Sequence, residues 1–242
     1  MILRELPKAK AEARRLPDKS GYETPLGLLD SVTRILGATS EGKENLQQWL
    51  KRPDAEQISK AACNRGTWTH NQIEKWIEDP THDPKHFAFG GYWRNIKPFL
   101  EEHHVHTVAQ EKTVYHPAGF AGSFDNLGYW SYTQREDITS EEAANMLTLL
   151  DWKTSKNYRG DKRFKDDKGP LLQDYFCQLG AYAAALNYVY GVKPERALLV
   201  IARPTGQWPD IWELTGEELE EESSKFIYRS NNYYIVEKGY EP

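Results

Sequence analysis

The run from Met146 to Lys153 is apolar at most positions until it ends in Asp151-Trp152-Lys153. Such a continuous apolar run, bounded by polar residues, predicts a strand buried on both faces. Upstream, Thr107 to His116 reads with a period of two. Val108, Gln110, Lys112 and Val114 share one face, and Ala109, Glu111 and Thr113 the other. Pro117 to Gly119 supplies a turn. Phe120 to Trp130 follows as a second strand, whose glycines mark twist or close backbone approach. Arg196 to Ala202 and Ile211 to Leu214 are further strands, and Tyr233 to Glu237 reads as a short last one.

Elsewhere the spacing is helical. Pro53 and Asp54 open a long helix to Glu78, in which Ile58, Ala62, Arg65, Thr69, Ile73 and Trp76 fall on one face. Ser31 to Leu36 starts a short helix capped by Ser31 or Asp30. Gly90-Gly91 reads as a turn before a helix from Tyr92 to His103. Leu171 to Tyr190 is a long helix ended by Gly191, and Glu217 to Tyr228 is the final one. Met1 to Tyr22 is polar and reads as loosely held or as a frayed helix. No internal repeat is present. Helices, a three-strand meander, a helix and more strands predict an α/β fold with a mixed central sheet flanked by helices. An N-terminal helical portion spans 1–106 and the core 107–242.

Composition narrows the class. With 242 residues, 39% hydrophobic and 12% aromatic, a packed core is expected rather than disorder. No apolar run reaches the length of a membrane span, so no membrane partner is expected. Met1 to Lys19 mixes basic residues with Glu5 and Glu12, unlike a secretory signal or a transit peptide. Cys63 and Cys177 sit in helical patterns and read as small buried hydrophobes. Without a CxxC pair, one chain offers no cysteine zinc site and no iron–sulfur cluster. A reducing cytoplasm fits.

Net charge is −5, which does not suit a protein that simply coats nucleic acid. Lys153, Lys156, Arg159, Lys162, Arg163, Lys165 and Lys168 nevertheless crowd one segment, beginning at the Asp-Trp-Lys motif. A basic rim beside a carboxylate suits a polyanionic substrate, and a solvated lysine-rich loop is the alternative.

Asp151 and Lys153, two residues apart on a strand, point to the same side. A carboxylate beside an ammonium is what metal-assisted phosphodiester hydrolysis requires. Asp125 lies inside the second strand, where a lone carboxylate is costly unless a cation or an Asx turn accommodates it. Glu111 faces either the same site or solvent. His70 is one helical turn after Gly66, and a mid-helix glycine costs about 1 kcal/mol against alanine. Such a glycine predicts close packing on that face. Gln178 and Tyr182 are also one turn apart, and a glutamine in an apolar stripe needs polar partners. The cluster His103-His104-Val105-His106 has no matching carboxylate or cysteine spacing and is set aside as a metal site.

In order, these are Gly66-x3-His70, Glu111, Gly122-x2-Asp125, Asp151-x-Lys153-Thr154 and Gln178-x3-Tyr182. The order resembles the PD-(D/E)XK nuclease superfamily, specifically its RecB-type exonuclease domains. Ser31-Val32-Thr33-Arg34-Ile35-Leu36 is further similar to the mitochondrial genome maintenance exonuclease group and its compact bacterial and phage relatives. The resemblance implies a restriction-endonuclease-like core and a Mg²⁺ or Mn²⁺ site. It implies His70, Asp125, Asp151 and the Trp152 carbonyl as ligands, with Glu111 as an accessory candidate. Lys153 is then catalytic with Asp125 and Asp151, and Gln178 and Tyr182 orient the lysine or the DNA. Thr154, Lys156, Lys162, Arg163 and Lys165 are expected to bind substrate, with Trp68, Trp152 and Tyr182 stacking on bases. Asp151 stands where many relatives carry Glu, and the cluster-binding cysteines of some relatives are missing.

The expected activity is a metal-dependent exonuclease on single-stranded DNA or flaps, working with replication or recombination proteins. The expected setting is the cytoplasm of a bacterial or phage-infected cell, rather than a mitochondrion. A structure-specific endonuclease on the same core is the enzyme alternative. A non-catalytic nucleic-acid-binding module is the other class, and it would be expected to lose Asp151 or Lys153.

Overall fold

The computed structural model describes residues 3–9, 11–17, 21–41, 43–156 and 169–239. Its frame is a mixed sheet of eight strands. β4 (His104–His116), β5 (Phe120–Trp130) and β6 (Leu147–Thr154) form an antiparallel meander. The chain then crosses through α6 (Pro170–Tyr190) to β7 (Arg196–Ala202), which runs parallel to β6. A parallel neighbour needs such a crossover helix. β8 (Asp210–Thr215) turns back against β7. β6 and β7 are covered on both sides, which explains the largely apolar runs Leu147–Leu150 and Ala197–Ala202.

The opening segment departs from expectation. The described residues of Met1 to Tyr22 are not helical and include β1 (Arg14–Arg15), which is followed by β2 (Tyr22–Thr24) and β3 (Gly27–Ser31). β3 pairs in parallel with the start of β5 through Asp30–Phe120 and Ser31–Ala121. Leu3 and Leu6 pack against the core, so sparse apolar residues without periodicity are enough to anchor this polar stretch.

Helices cover the two faces. On one side lie α1 (Val32–Thr39), α6 and α7 (Gly216–Lys238), burying Ile35, Leu179, Leu186 and Phe226 against the sheet. α2 (Lys43–Leu50) follows α1. On the other side lie α3 (Ala55–Glu78) and α4 (Gly90–His103), burying Ile73, Trp93, Ile96 and Phe99. A short helix, α5 (Ser140–Ala143), precedes β6. Ser31 caps α1 by accepting the N–H of Arg34, whereas the Asp54 side chain makes no capping bond to α3.

Two local expectations fail for identifiable reasons. Gly90-Gly91 begins α4 rather than forming a turn. A Cβ on Gly91 would collide with the Pro204 carbonyl, so the glycine lets α4 approach the β7–β8 connection. Tyr233 to Glu237 is the end of α7, not a strand. Its aromatic and β-branched residues favour a strand by propensity, but Leu219, Phe226, Ser230 and Tyr233 keep the helical period buried. Tyr234 anchors that last turn by donating its hydroxyl to the Gly119 carbonyl at 2.6 Å.

Candidate active site at the parting of two strands

β5 shares one edge between two neighbours. Phe120–Ala121 pair with β3, and Asn126–Tyr129 pair with β6. Between them, Gly122 to Asp125 have no ladder partner on that edge among the described residues. Asp125 fills the gap. Its Oδ2 accepts the backbone N–H of Trp152 at 2.7 Å, so a carboxylate replaces the missing strand carbonyl. The alternative of an Asx turn is thereby set aside.

α3 closes the gap from above. His70 Nε2 donates to the Trp152 carbonyl at 2.7 Å. Its Nδ1 stands 3.7 Å from Asp125 Oδ1 and 3.8 Å from Glu111 Oε1. Glu111 lies between the β4–β5 pairs Gln110–Asn126 and Lys112–Phe124. Among the described residues it is also the non-glycine residue with a left-handed backbone, φ 51°. That conformation costs about 1 kcal/mol or more, and it breaks the alternation that left the direction of Glu111 open. One ligand atom from each of His70, Glu111 and Asp125 lies within 4.8 Å of the others. One imidazole and two carboxylates are a donor set that fits a hard or borderline divalent cation. Burial disfavours charge on His70, but Asp125 and Glu111 outweigh it and raise its pKa to about 9.

Asp151 and Lys153 form a second layer behind this cage. Asp151 is fully buried and ion-paired with the Lys153 ammonium. Its Oδ1 accepts from Gln178 Nε2 at 3.0 Å, and the same nitrogen lies 3.3 Å from the Tyr182 hydroxyl. From α6, Gln178 therefore holds Asp151, while the Tyr175 ring lies 5.2 Å from Lys153 Nζ. Burial raises the Asp151 pKa to about 6, against the opposing effect of Lys153. Burial also disfavours the lysine charge, yet Asp151 and Asp125 hold its pKa above the ordinary value. Tyr182 is pushed well above its usual range by burial and by the same carboxylates. A Cβ on Gly122 would stand 2.7 Å from the Tyr182 ring, so this glycine is what lets α6 reach the site.

Other expectations are redirected. The Trp152 indole is buried against Trp130 and Phe99, and Tyr182 is buried as well, so neither can stack on a base. Only the backbone of Trp152 reaches the site. Trp68 is half-buried against His86 and Phe89. A Cβ on Gly66 would meet nothing within 4 Å, so nothing packs there and the space beside His70 is open. Cys63 is exposed, whereas Cys177 is buried. Thr154 is occupied by Arg65, whose Nε donates to its Oγ1 at 2.9 Å. Arg65 was visible only as a polar intrusion in the apolar stripe of α3, and it ties that helix to the end of β6. Lys156 lines a groove of about 500 Å³ with Arg65, Ala62 and Ile58. Arg159, Lys162, Arg163, Lys165 and Lys168 lie outside the described residues.

Among the described residues, no helix is long and apolar enough to cross a membrane. No family model matches the chain, and no curated protein matches it. The solved structures similar to this chain include two of low identity. The protein SSO0001 is 12% identical with a TM-score of 0.42, over 86% of this chain and 75% of that one. A structure named "Putative exonuclease" from Eubacterium rectale is 14% identical with a TM-score of 0.40, over 69% of this chain and 68% of that one. At this level of likeness neither bears on the chemistry, which rests on the site itself.

Proposed function

We propose that the chain is a divalent-cation-dependent nuclease of the PD-(D/E)XK type, acting on single-stranded DNA or flaps. The observation that carries this reading is the meeting of Asp125, Asp151 and Lys153 where β5 and β6 part, with His70 closing the gap from α3. A structural ion pair alone would not need the imidazole and the second carboxylate, Glu111, at ligand distance.

His70, Glu111 and Asp125 would hold Mg²⁺ or Mn²⁺, with the Trp152 carbonyl beside them. When bound, such an ion supplies Lewis acidity, lowering the pKa of a water and neutralising phosphate charge. The remaining work falls to the chain. Lys153 stays charged and donates hydrogen bonds to phosphate oxygens as negative charge develops. Asp151 fixes the ammonium, Gln178 fixes Asp151, and Tyr182 fixes Gln178, so the lysine is held in place before substrate arrives. The nitrogen donor of His70 favours Mn²⁺ over Mg²⁺.

End-labelled linear and circular single strands, digested with Mg²⁺ and with Mn²⁺, test the reading. An exonuclease degrades only the linear strand. Cutting of the circle assigns an endonuclease on the same site. Binding without cutting of either, with both ions, would leave a binding module and end the proposal.

A further inference from the structure

Away from the cleavage site, the loop before α4 presents Phe87 wholly to solvent. The loop beneath it is built to hold still. His86 and Phe89 stack with ring centroids 4.6 Å apart and planes within 3°. Trp68 packs against both, and His86 Nδ1 accepts the N–H groups of Ala88 and Phe89 at 3.2 and 3.0 Å. Phe87 and Arg94 line a groove of about 430 Å³ together with Lys85. Asp83, which also lines it, is already held by Trp93 Nε1 and Lys97 Nζ. Arg94 also borders a second groove of about 580 Å³, whose far wall is Trp208. Trp208 is 37% exposed, and its ring is backed edge-on by Phe99 and His103. An aromatic, a cation and an aromatic thus stand in series along α4.

The connection that carries Trp208 leaves β7 at the end of the sheet where β6 leaves the candidate active site. Thr154 of β6 pairs with Ala202 of β7, and the chain then turns through Trp208 into β8. Arg65 bridges the two places, donating to Thr154 and lying over the Tyr92 ring of α4 at 5.2 Å. Resting on the nuclease reading above, we infer that Phe87, Arg94 and Trp208 form a stacking track for the unpaired strand beyond the cleavage site. Bases of any sequence offer a π-face to Phe87 and Trp208, and the phosphates between them meet Arg94 and Lys85. A duplex hides its base faces, and an apolar protein partner would offer Arg94 no counter-charge. The occupant that matches both features is a single-stranded nucleic acid.

The test is equilibrium binding of a fluorescent 20-nucleotide single strand (an arbitrary length of about that size spans a typical site) to the full chain in EDTA. No cleavage is needed, so loss of the track and loss of the nuclease reading are separable. Phe87→Ala should raise the apparent Kd about tenfold, within the range carried by one stacked base, and Phe87→Trp should restore it. Trp208→Ala should act likewise, with thermal melting followed to exclude unfolding. A strand of the same length made largely of abasic sites should bind wild type more weakly and be indifferent to Phe87→Ala. Equal losses for base-bearing and abasic strands would overturn stacking. Unchanged Kd in Phe87→Ala would overturn the track, whatever the cleavage assay shows.

Discussion

The carboxylate of Asp125 accepts the backbone N–H of Trp152 at 2.7 Å, where the ladder between their strands has ended. One oxygen thus does a strand's hydrogen bonding, while the other faces His70 at 3.7 Å. The two oxygens separate structure from chemistry. Asp125→Asn can keep the first bond through its amide oxygen but removes the anionic charge. Its melting temperature should stay close to wild type, while Mn²⁺ affinity measured by calorimetry falls by about tenfold or more. Unchanged Mn²⁺ affinity would remove Asp125 from the cage.

Asp151 and Lys153 should behave as a unit. Asp151→Ala or Lys153→Ala abolishes cleavage and leaves a buried group without its partner, a loss of about 3 kcal/mol or more for a well-buried pair. The double variant should be less destabilised than the two singles together, because no uncompensated charge remains. Chemical denaturation of the four proteins measures this coupling. Simple additivity would mean that the pair is not held as a buried unit.

Gly66 gives a prediction of opposite sign. With nothing within 4 Å of a Cβ there, Gly66→Ala should stabilise α3 by about 1 kcal/mol. That raises the melting temperature by about 2–4 °C for a chain of this size. Gly66→Leu should fill the open space beside His70 and slow DNA cleavage. A lower melting temperature in Gly66→Ala would reveal a packing partner.

The charge on His70 predicts a pH dependence. Its folded-state pKa of about 9 lies above the reference value of 6.5. The imidazolium therefore adds stability that is complete below about pH 6.5 and is lost as pH rises through 9. In EDTA, wild-type stability should fall across that window, and His70→Gln should flatten the fall. A cation at the ring must displace a proton, so Mn²⁺ affinity should rise over the same interval. Calorimetry in two buffers of different ionisation enthalpy reads the released proton, and no difference between them would contradict the coupling.

The periodic elements were legible because local spacing and burial agree in them. Phe120–Trp130, Arg196–Ala202 and the long helix before Gly191 depend on little else. Tyr233 to Glu237 reads as a strand by propensity, but capping and tertiary packing keep it helical. β3 carries little local signal, because its pairing partner, Phe120–Ala121, is remote in sequence. At the site, Asp151 and Lys153 were legible from their spacing on a strand. The direction of Glu111 was not, since it depends on a backbone departure that alternation cannot encode. The aromatic residues failed for a related reason. Sequence marks Trp152 and Tyr182 as near the site, but their backbone and hydroxyl reach it while their rings belong to the core.

Asp125, Asp151, Lys153 and His70 are proposed to hydrolyse phosphodiester bonds together with a divalent cation. The most direct measurement is single-turnover cleavage of an end-labelled single strand by purified protein, first in EDTA and then with Mn²⁺ added. Wild type should be silent in EDTA and release labelled products once Mn²⁺ is present, while Lys153→Ala, still able to bind the strand, should release none. Cleavage that persists in EDTA, or that Lys153→Ala performs at the wild-type rate, would contradict it.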